Sequence, residues 1–336
     1  MLKDKIVSIQ YLRGLAALGV VFCHFGSNLI SYPRLSLFFN FGQTGVFVFF
    51  LISGFIIVYS LIQSNYKSSQ FFTFLLKRSI RIDPAYYIAI LLTIALFKIL
   101  SYIPSFNGSA IAFVPGQFIA HILYVIPFTK YPFYMHVFWT LCVEFQFYLL
   151  IGVIYFLSDS PLYKFIFLVL FSLSSLIPFS NSYYLVLNYA AIFALGISLV
   201  TLYKNRNWQN IMLPVFFLIL IAFKFGIPIF ILLLLCSIAV FYFTLIIKPL
   251  AFLGDISYSL YLTHTLTLIV FSGISKRLHI DLSHYKLFWL IIEVLVAALF
   301  AYIFYLLIEK PSLRLSKHIF YKKTKGSLLQ TRLNLK

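Results

Sequence analysis

Long, uninterrupted apolar stretches limit what this chain can fold into more than any other feature. Stretches of about 20 residues with few charges recur along the sequence, and each is long enough to cross a bilayer as a helix. A membrane β-barrel requires alternation of lipid-facing and lumen-facing residues, which these continuous stretches lack. Only 10% of the 336 residues are charged, compared with roughly 25% in soluble domains. The sequence therefore predicts an all-α, polytopic membrane helix bundle.

The apolar stretches predict about ten transmembrane helices. They lie at about 9–29, 43–63, 84–103, 137–157, 164–179, 184–202, 211–224, 226–247, 256–274 and 286–309. Residues 111–128 are apolar but interrupted by Pro115, Gly116 and His121, which indicates a re-entrant or interfacial segment within a long loop. We expect one membrane domain over residues 1–315, followed by a basic tail over residues 316–336.

The basic residues predict the orientation of these helices. Most of the 26 lysines and arginines fall on the side that also holds both chain ends, including a cluster from Lys310 onward. Because basic residues favour the cytoplasmic side of a membrane, we expect both termini to be cytoplasmic. The net charge of +18 is then a signal of topology, and the tail is predicted to contact anionic lipid headgroups and not nucleic acid. The three cysteines lack paired spacing, so neither a disulfide framework nor a metal site is expected.

The first predicted helix carries an arginine and a histidine in apolar surroundings. Arg13 and His24 are eleven residues apart, which places both side chains on one face, about 16 Å apart along the helix axis. Ionisable side chains within membrane helices are costly and usually mark function. Two interpretations stay open at this point. In the first, Arg13 is a surface anchor and His24 is bonded to a neighbouring helix. In the second, the two residues form a functional stripe, with the titratable imidazole deep inside the membrane.

A second basic group precedes the third predicted helix. Arg78 and Arg81 are three residues apart and would face the same way on a helical turn. Pro84 suits the first turn of the following helix, with Asp83 as its cap. Anchoring to the inner membrane surface accounts for one or two basic residues here. An arginine pair next to Arg13 would also form a pocket for phosphate groups, since guanidinium groups bind them with two hydrogen bonds.

Two later helices carry polar side chains at membrane depth. Glu144 follows Trp139 in the fourth predicted helix, about two turns from the outer surface, where a carboxylate must find a partner or stay protonated. Acid-base chemistry and a structural hydrogen bond both account for it. In the ninth predicted helix, Ser257, Tyr261 and His264 are spaced by four and three residues, so they share one face. We expect that face to point into the bundle and not towards lipid.

Five motifs, taken together, resemble the acyltransferase-3 family of integral membrane acyltransferases. The motifs are Arg13 with His24, Arg78 with Arg81, Trp139 and Glu144 with Phe147 and Tyr148, Ile256 to Tyr261 with His264, and Glu309-Lys310-Pro311. They follow one order and cover nearly the whole chain. The resemblance implies a bundle of about ten helices in the bacterial inner membrane. It also implies transfer of an acyl group, usually acetyl, from cytoplasmic acyl-CoA to a hydroxyl of a surface polysaccharide, such as a lipopolysaccharide O-antigen, or of its lipid-linked precursor.

The resemblance also suggests how the donor is used. Arg13, Arg78 and Arg81 are expected to hold the phosphates of acyl-CoA, whose extended pantetheine arm is similar in length to the separation of Arg13 and His24. At the thioester, His24 is expected to take the proton of the acceptor hydroxyl, or to carry the acyl group as a transient acyl-histidine. The sequence leaves both routes open. Acyl-CoA, with acetyl-CoA as the simplest case, is a substrate here, and no permanently bound cofactor is expected.

The acceptor side is implied in the same way. Glu144 is expected to orient His24 or the acceptor. The residues expected to contact the carbohydrate are Trp139, Tyr258, Tyr261 and His264. The sequence does not identify the sugar, the position acylated, the acyl group or the oligomeric state.

Two functions from other classes remain alternatives. The intramembrane residues His24, Glu144 and His264 would also serve a proton relay in a transporter or flippase for a glycan precursor or small solute. Many transporters show repeated halves and paired broken helices, and we detect neither in this sequence. The second alternative is a non-catalytic partner in a polysaccharide synthase, whose loss would remove the polymer and not merely its acylation.

Overall fold

A computed structural model describes residues 6–26, 33–103, 112–178, 181–243, 245–277 and 285–321. Within these ranges the chain forms helices, turns and short irregular segments, with no strand. The α-helices are α1 Val7–Gly26, α2 Pro33–Phe41, α3 Gly45–Gln63, α4 Phe71–Leu100, α5 Pro115–Ile122, α6 Trp139–Leu150, α7 Pro161–Ser174, α8 Ala190–Lys204, α9 Met212–Phe225, α10 Ile227–Tyr242, α11 Lys248–Arg277, α12 Lys286–Phe304 and α13 Lys310–Lys317. A π-helical segment, Ile151–Tyr155, extends α6, and a second, Tyr305–Glu309, joins α12 to α13.

The structure confirms a polytopic bundle of membrane helices. In the described ranges, seven helical segments are long and apolar enough to cross a membrane, and α7 and α10 are shorter apolar helices. The 30 residues of α11 span about 45 Å, which exceeds the roughly 30 Å of a bilayer core. Buried polar residues such as Ser257, Thr263 and His264 make this helix less apolar than the seven. Each of the ten predicted spans therefore overlaps a helix.

The prediction for the start of the third span is wrong. Helix α4 begins at Phe71 and continues without a break to Leu100, so Pro84 lies inside the helix and Asp83 is not its cap. Proline lacks an amide N–H, and membrane helices tolerate it where neighbouring groups satisfy the freed backbone. The carbonyl freed by Pro84 is that of Ile80, four residues earlier. Close to it, the Tyr258 hydroxyl donates to the carbonyl of Ile82 (3.0 Å), which ties this part of α4 to α11.

Helix α5 and the 3-10 turn Ile126–Phe128 lie in the predicted re-entrant segment, of which residue 111 is outside the described ranges. His121 is fully buried and lies between the hydroxyl of Tyr86 (2.8 Å from Nδ1) and the backbone N–H of Tyr134 (3.3 Å from Nε2). The Tyr124 hydroxyl donates to the Asp83 carboxylate (2.8 Å). These bonds hold the loop after α4 against the middle of that helix.

Helices α1 and α11 run parallel and in close contact along most of α1. A Cβ atom added to Gly14 would lie 2.8 Å from the backbone nitrogen of Gly254, and one added to Gly254 would lie closer still to the carbonyl of Gln10. The Gln10 side chain donates to the carboxylate of Asp255 (2.7 Å). Small residues permit such close approach of membrane helices. The pairing aligns residues of α1 with residues about 240 positions later, so His24 lies beside His264.

Hydrogen bonds between distant segments define one end of the bundle, which we call the arginine end because Arg13, Arg78 and Arg81 lie towards it. There the start of α1 meets the end of α10, the turn after α3 meets the extension of α6, and α4 meets the segment after α13. The bonds are Ser8 Oγ to the carbonyl of Val240 (3.1 Å), Tyr66 OH to the carbonyl of Gly152 (2.6 Å) and Lys77 Nζ to the carbonyl of Ile319 (3.1 Å).

Candidate active site

Helix α1 places the two residues that first suggested a site. Arg13 and His24 are both partly buried and lie three turns apart on this helix, as the sequence predicts. The close contact of α1 with α11 determines which side chains surround Arg13 and which surround His24. Arg13 lies beside charged groups from α4, α6, α11 and the segment before α13, whereas His24 lies beside a histidine and aromatic rings.

The three predicted donor-binding arginines come together. Arg81 is an electrostatic neighbour of both Arg13 and Arg78. Three carboxylates lie within electrostatic range of Arg13, those of Glu309, Glu144 and Asp255. In the part of the chain that the structure describes, no carboxylate forms an ion pair with any of the three arginines, and no acceptor takes a hydrogen bond from them. The guanidinium groups therefore keep their donors available.

Arg78 is the most buried of the three. The face of its guanidinium lies near the rings of Phe74 and Tyr148, at 5.6 and 5.9 Å from their centroids. Contacts of this kind hold a cation by the negative face of the ring and leave its N–H groups, which point outwards in the guanidinium plane, for other partners. A buried guanidinium with free N–H groups is a site for an anion with planar or tetrahedral oxygens, such as carboxylate or phosphate.

Glu144 lies between the arginines and the aromatic residues of the site. Its Oε1 atom accepts hydrogen bonds from the hydroxyls of Ser53 (2.7 Å) and Tyr148 (2.6 Å). Its electrostatic neighbours are Arg13 and Arg78 on one side and Tyr261 on the other. Hydrogen bonds from Ser53 and Tyr148 therefore hold the Glu144 carboxylate next to the arginines.

A small cavity opens beside Glu144. Its volume is about 10 Å³, which is room for about one water molecule. The residues that line it are Arg78, Ser79, Ile82, Asp83, Tyr124, Leu141, Glu144, Phe145 and Tyr148. The cavity brings one guanidinium and two carboxylates together inside the bundle.

Glu309 connects the arginine end to α11. Its carboxylate is buried and accepts hydrogen bonds from both the backbone N–H (3.1 Å) and the hydroxyl (2.5 Å) of Ser259. It is also an electrostatic neighbour of Arg13 and Arg81. One carboxylate therefore relates the arginines to the helix that carries His264.

The other end of the site is formed by three histidines, and we call it the histidine end. The rings of His24 and His264 lie 5.2 Å apart between centroids and are inclined by 41°. His136, in the turn before α6, is an electrostatic neighbour of His24. Tyr261 packs near His264 at 6.0 Å, and its hydroxyl lies 2.9 Å from that of Thr140. Among the described residues, no carboxylate or guanidinium contacts the ring of His264.

The residues predicted to contact the carbohydrate acceptor do not all lie at the histidine end. Tyr261 and His264 are buried at the histidine end, as the prediction of an inward-facing stripe requires. Tyr258 points elsewhere, with its hydroxyl bonded to α4 and with Glu309 and Asp83 as electrostatic neighbours. Trp139 is 6% exposed, and its ring lies under that of Tyr183, at 4.4 Å between centroids.

Sequence reasoning missed several residues of the site. Tyr183 is 38% exposed and covers Trp139, so it presents an aromatic face at the histidine end. No periodic signal marks it, because it lies in a short 3-10 turn before α8. Asp83 is predicted only as a helix cap, and Ser53 lies within the apolar stretch of α3, while Glu144 and Tyr124, to which they bond, lie in other segments. Glu309 was noted only as part of the motif that ends the last helix.

A family model described as an acyltransferase domain matches residues 6–309, which is nearly the whole chain. The match includes Arg13, Arg78, Arg81, Glu144 and Glu309 and the histidines His24, His136 and His264. No curated protein and no solved structure matches the chain.

Proposed function

The chain belongs to the acyltransferase-3 family, and on that premise we propose that it transfers an acyl group from acyl-CoA to a hydroxyl of a carbohydrate. One observation carries the proposal. Three arginines without hydrogen-bond acceptors in the described structure lie three turns of α1 away from a pair of histidines. The separation, about 16 Å, is comparable with the distance between the phosphates and the thioester of an extended acyl-CoA.

The donor would bind with its phosphates at the arginine end. Arg13, Arg78 and Arg81 supply guanidinium groups that bind phosphate oxygens with paired, charge-assisted hydrogen bonds. Burial strengthens such contacts, because the effective dielectric constant inside a membrane protein is lower than in water. Since acyl-CoA is made in the cytoplasm, the arginine end would face the cytoplasm. This agrees with the orientation that the basic residues predict, in the inner membrane of a bacterium.

The chemistry would take place at the histidine end. A neutral His24 accepts the proton of the acceptor hydroxyl while the oxygen attacks the thioester carbon. A carbon–oxygen bond forms, the carbon–sulfur bond breaks, and the thiolate of coenzyme A leaves and takes up the proton. The same ring would serve the alternative route through an acyl-histidine, in which its nitrogen attacks the thioester first. Glu144, held by Ser53 and Tyr148, would support the site from the arginine side.

The acceptor would be a carbohydrate, with acetyl as the simplest acyl group. Aromatic rings with one exposed face suit the apolar faces of sugar rings, and Tyr183 offers such a face close to His136 (6.1 Å between ring centroids). A surface polysaccharide or its lipid-linked precursor would approach from this end. Trp139 would then contribute to carbohydrate binding indirectly, by supporting the ring of Tyr183 that covers it.

Mass spectrometry of surface glycans tests the proposal. Cells with the gene intact, deleted, and carrying His24→Ala or His318→Ala are compared. His318 is an exposed histidine after α13, so its replacement is a control for the loss of an imidazole. We expect an acyl mass increment on the glycan in wild-type and His318→Ala cells, and its loss in the deletion and His24→Ala strains while the glycan remains.

Other results would point to another function. A glycan that is unmodified in every strain would exclude acylation of surface glycans as the function of this protein. Failure of export or of polymer formation in the deletion strain, with acylation unaffected, would favour a transporter or an assembly partner. In either case His24→Ala protein must be present in the membrane at the wild-type level for the comparison to count.

A further inference from the structure

The two nitrogens of His264 have different surroundings. Nδ1 lies 2.8 Å from the carbonyl oxygen of Tyr261 and 3.1 Å from that of Leu260. A carbonyl oxygen can only accept a hydrogen bond, so Nδ1 carries the proton and donates it. In the neutral ring, Nε2 then holds the lone pair. The backbone of α11 fixes both the tautomer and the orientation of this imidazole.

The Nε2 atom is buried and has no hydrogen-bond partner in the described structure. The whole residue is fully buried. A buried acceptor without a partner costs about 1–3 kcal/mol, and native proteins retain such groups where another need outweighs the cost. His121 shows the usual arrangement, because it is equally buried and both of its nitrogens have partners.

His24 is the titratable side chain that lies against this open nitrogen's ring. The two imidazoles are 5.2 Å apart between centroids, and the titratable groups near the pair include His136, Tyr261 and Tyr183. Two imidazolium ions at this distance would repel each other in a medium of low dielectric constant. The pair is therefore suited to hold one proton at a time.

We propose that His264 is the second proton acceptor of the acyl transfer and works as a pair with His24. This inference rests on the proposed function. As the acceptor oxygen bonds to the thioester carbon, its proton moves to His24, and Nε2 of His264 takes a proton from His24. The carbon–sulfur bond breaks, and the proton held by the pair passes to the thiolate sulfur, which restores both neutral rings. The sequence assigned His264 only to contact with the acceptor.

Turnover of the purified full-length protein in lipid vesicles tests this role, with acetyl-CoA as donor, surface glycan purified from the deletion strain as acceptor, and release of the coenzyme thiol as readout. His264→Asn keeps an amide N–H near the position of Nδ1 but has no basic nitrogen. We expect its kcat to fall about 100-fold or more while the KM for acetyl-CoA stays within about threefold of wild type. Added imidazole should restore part of the activity of His264→Ala, because it can occupy the space and accept the proton.

His121→Asn is the matched control, since it removes an equally buried imidazole whose nitrogens are bonded to Tyr86 and to the backbone of Tyr134. We expect its kcat per folded molecule to equal that of wild type. The inference is overturned if His264→Asn turns over like wild type, or if imidazole restores no activity to a folded His264→Ala protein. A wild-type protein that transfers nothing would instead overturn the proposed function on which the inference rests.

Discussion

The arginine end and the histidine end of the site differ in the kind of polar group they use. The arginine end gathers permanent charges of both signs, with three guanidinium groups near the carboxylates of Glu144, Glu309 and Asp255. The histidine end has imidazole, phenol and hydroxyl groups, with the carboxylate of Glu144 as an electrostatic neighbour of Tyr261. Permanent charges suit the binding of an anion, and neutral imidazoles suit the movement of a proton. On the proposed function, α1 would keep these two tasks apart by three turns, from Arg13 to His24.

Separation protects the chemistry of the histidines. A carboxylate beside an imidazole stabilises its charged form and makes it a poorer donor of the proton it has taken, and a guanidinium has the opposite effect. Arg13 and His24 lie about 16 Å apart along α1, where the effect of the guanidinium on the imidazole is weak. On the proposed function, Arg13 would therefore bind the charged donor at a distance from His24.

The largest expected effect comes from breaking the alignment of the two ends. Gly254→Ala places a methyl group against the backbone of α1 at Gln10, and neither backbone can move without separating α1 from α11. We expect the free energy of unfolding to fall by about 2–3 kcal/mol and transfer to be lost. Thermal unfolding in detergent measures the change. Gly273→Ala, later in α11, meets nothing within 4 Å and is the control. Equal effects of the two substitutions would contradict the close approach.

The next effect concerns the link between the ends. Glu309→Ala leaves the N–H and hydroxyl of Ser259 without their acceptor in a buried place, which should cost about 1–2 kcal/mol of unfolding free energy. Glu309→Gln keeps an oxygen acceptor and removes only the charge near Arg13, so its loss should be smaller. The same unfolding assay compares the two variants. If the glutamine variant is as unstable as the alanine variant, the charge and not the hydrogen bonds stabilises this contact.

A change at the arginine end alone should alter binding and spare the chemistry. Arg78→Lys keeps the charge but loses the planar set of donors, so we expect the KM for acyl-CoA to rise about tenfold with kcat little changed. Steady-state kinetics with varied acyl-CoA measures both constants. Arg314→Lys, at an exposed position of α13, is the control and should leave both unchanged. A fall in kcat at constant KM would contradict the division of tasks between the ends.

The smallest effect distinguishes a structural histidine from those of the histidine end. Burial lowers the pKa of His121 to about 4, below that of the unfolded chain, so the unfolded state binds the extra proton first as the pH falls. The contribution of the neutral His121 ring to the free energy of unfolding is present at neutral pH and is lost progressively between about pH 6.5 and pH 4. From about pH 7 to pH 5.5 the loss should be about 1 kcal/mol of unfolding free energy. Unfolding of wild type and His121→Asn at both pH values measures it, and a wild-type loss equal to that of the variant would refute the assignment.

Much of the fold is predictable from the sequence because each membrane helix is encoded locally. Continuous apolar stretches give the position of helices such as α1 and α12 to within a few residues. The predicted start of α4 is wrong, because polar residues and Pro84 usually mark a helix boundary. Here the helix continues through them, and Asp83 and Tyr258 form contacts between this stretch and other segments. Helical spacing also predicted that Arg13 and His24 share a face, because both lie on one helix.

The rest of the site depends on contacts between distant parts of the chain. Nothing local indicates that Ser53 bonds to Glu144, or that Tyr183 covers Trp139. The open nitrogen of His264 follows from the position of two carbonyl groups and from the absence of any described partner nearby, which no spacing rule contains. Residue type and spacing therefore identified candidates, and packing decided what each of them can do.

The pairing of α1 with α11 also bears on how the protein is made. The first helix is synthesised about 240 residues before the part of α11 that packs against it. At about 5–20 residues per second, translation of that length takes about 10–50 s. During this time Arg13 and His24 lie in or near the bilayer without α11, the helix that later packs against α1. Completion of the site is thus one of the last steps in biogenesis, and a chain cut short before α11 would insert its early helices without ever forming it.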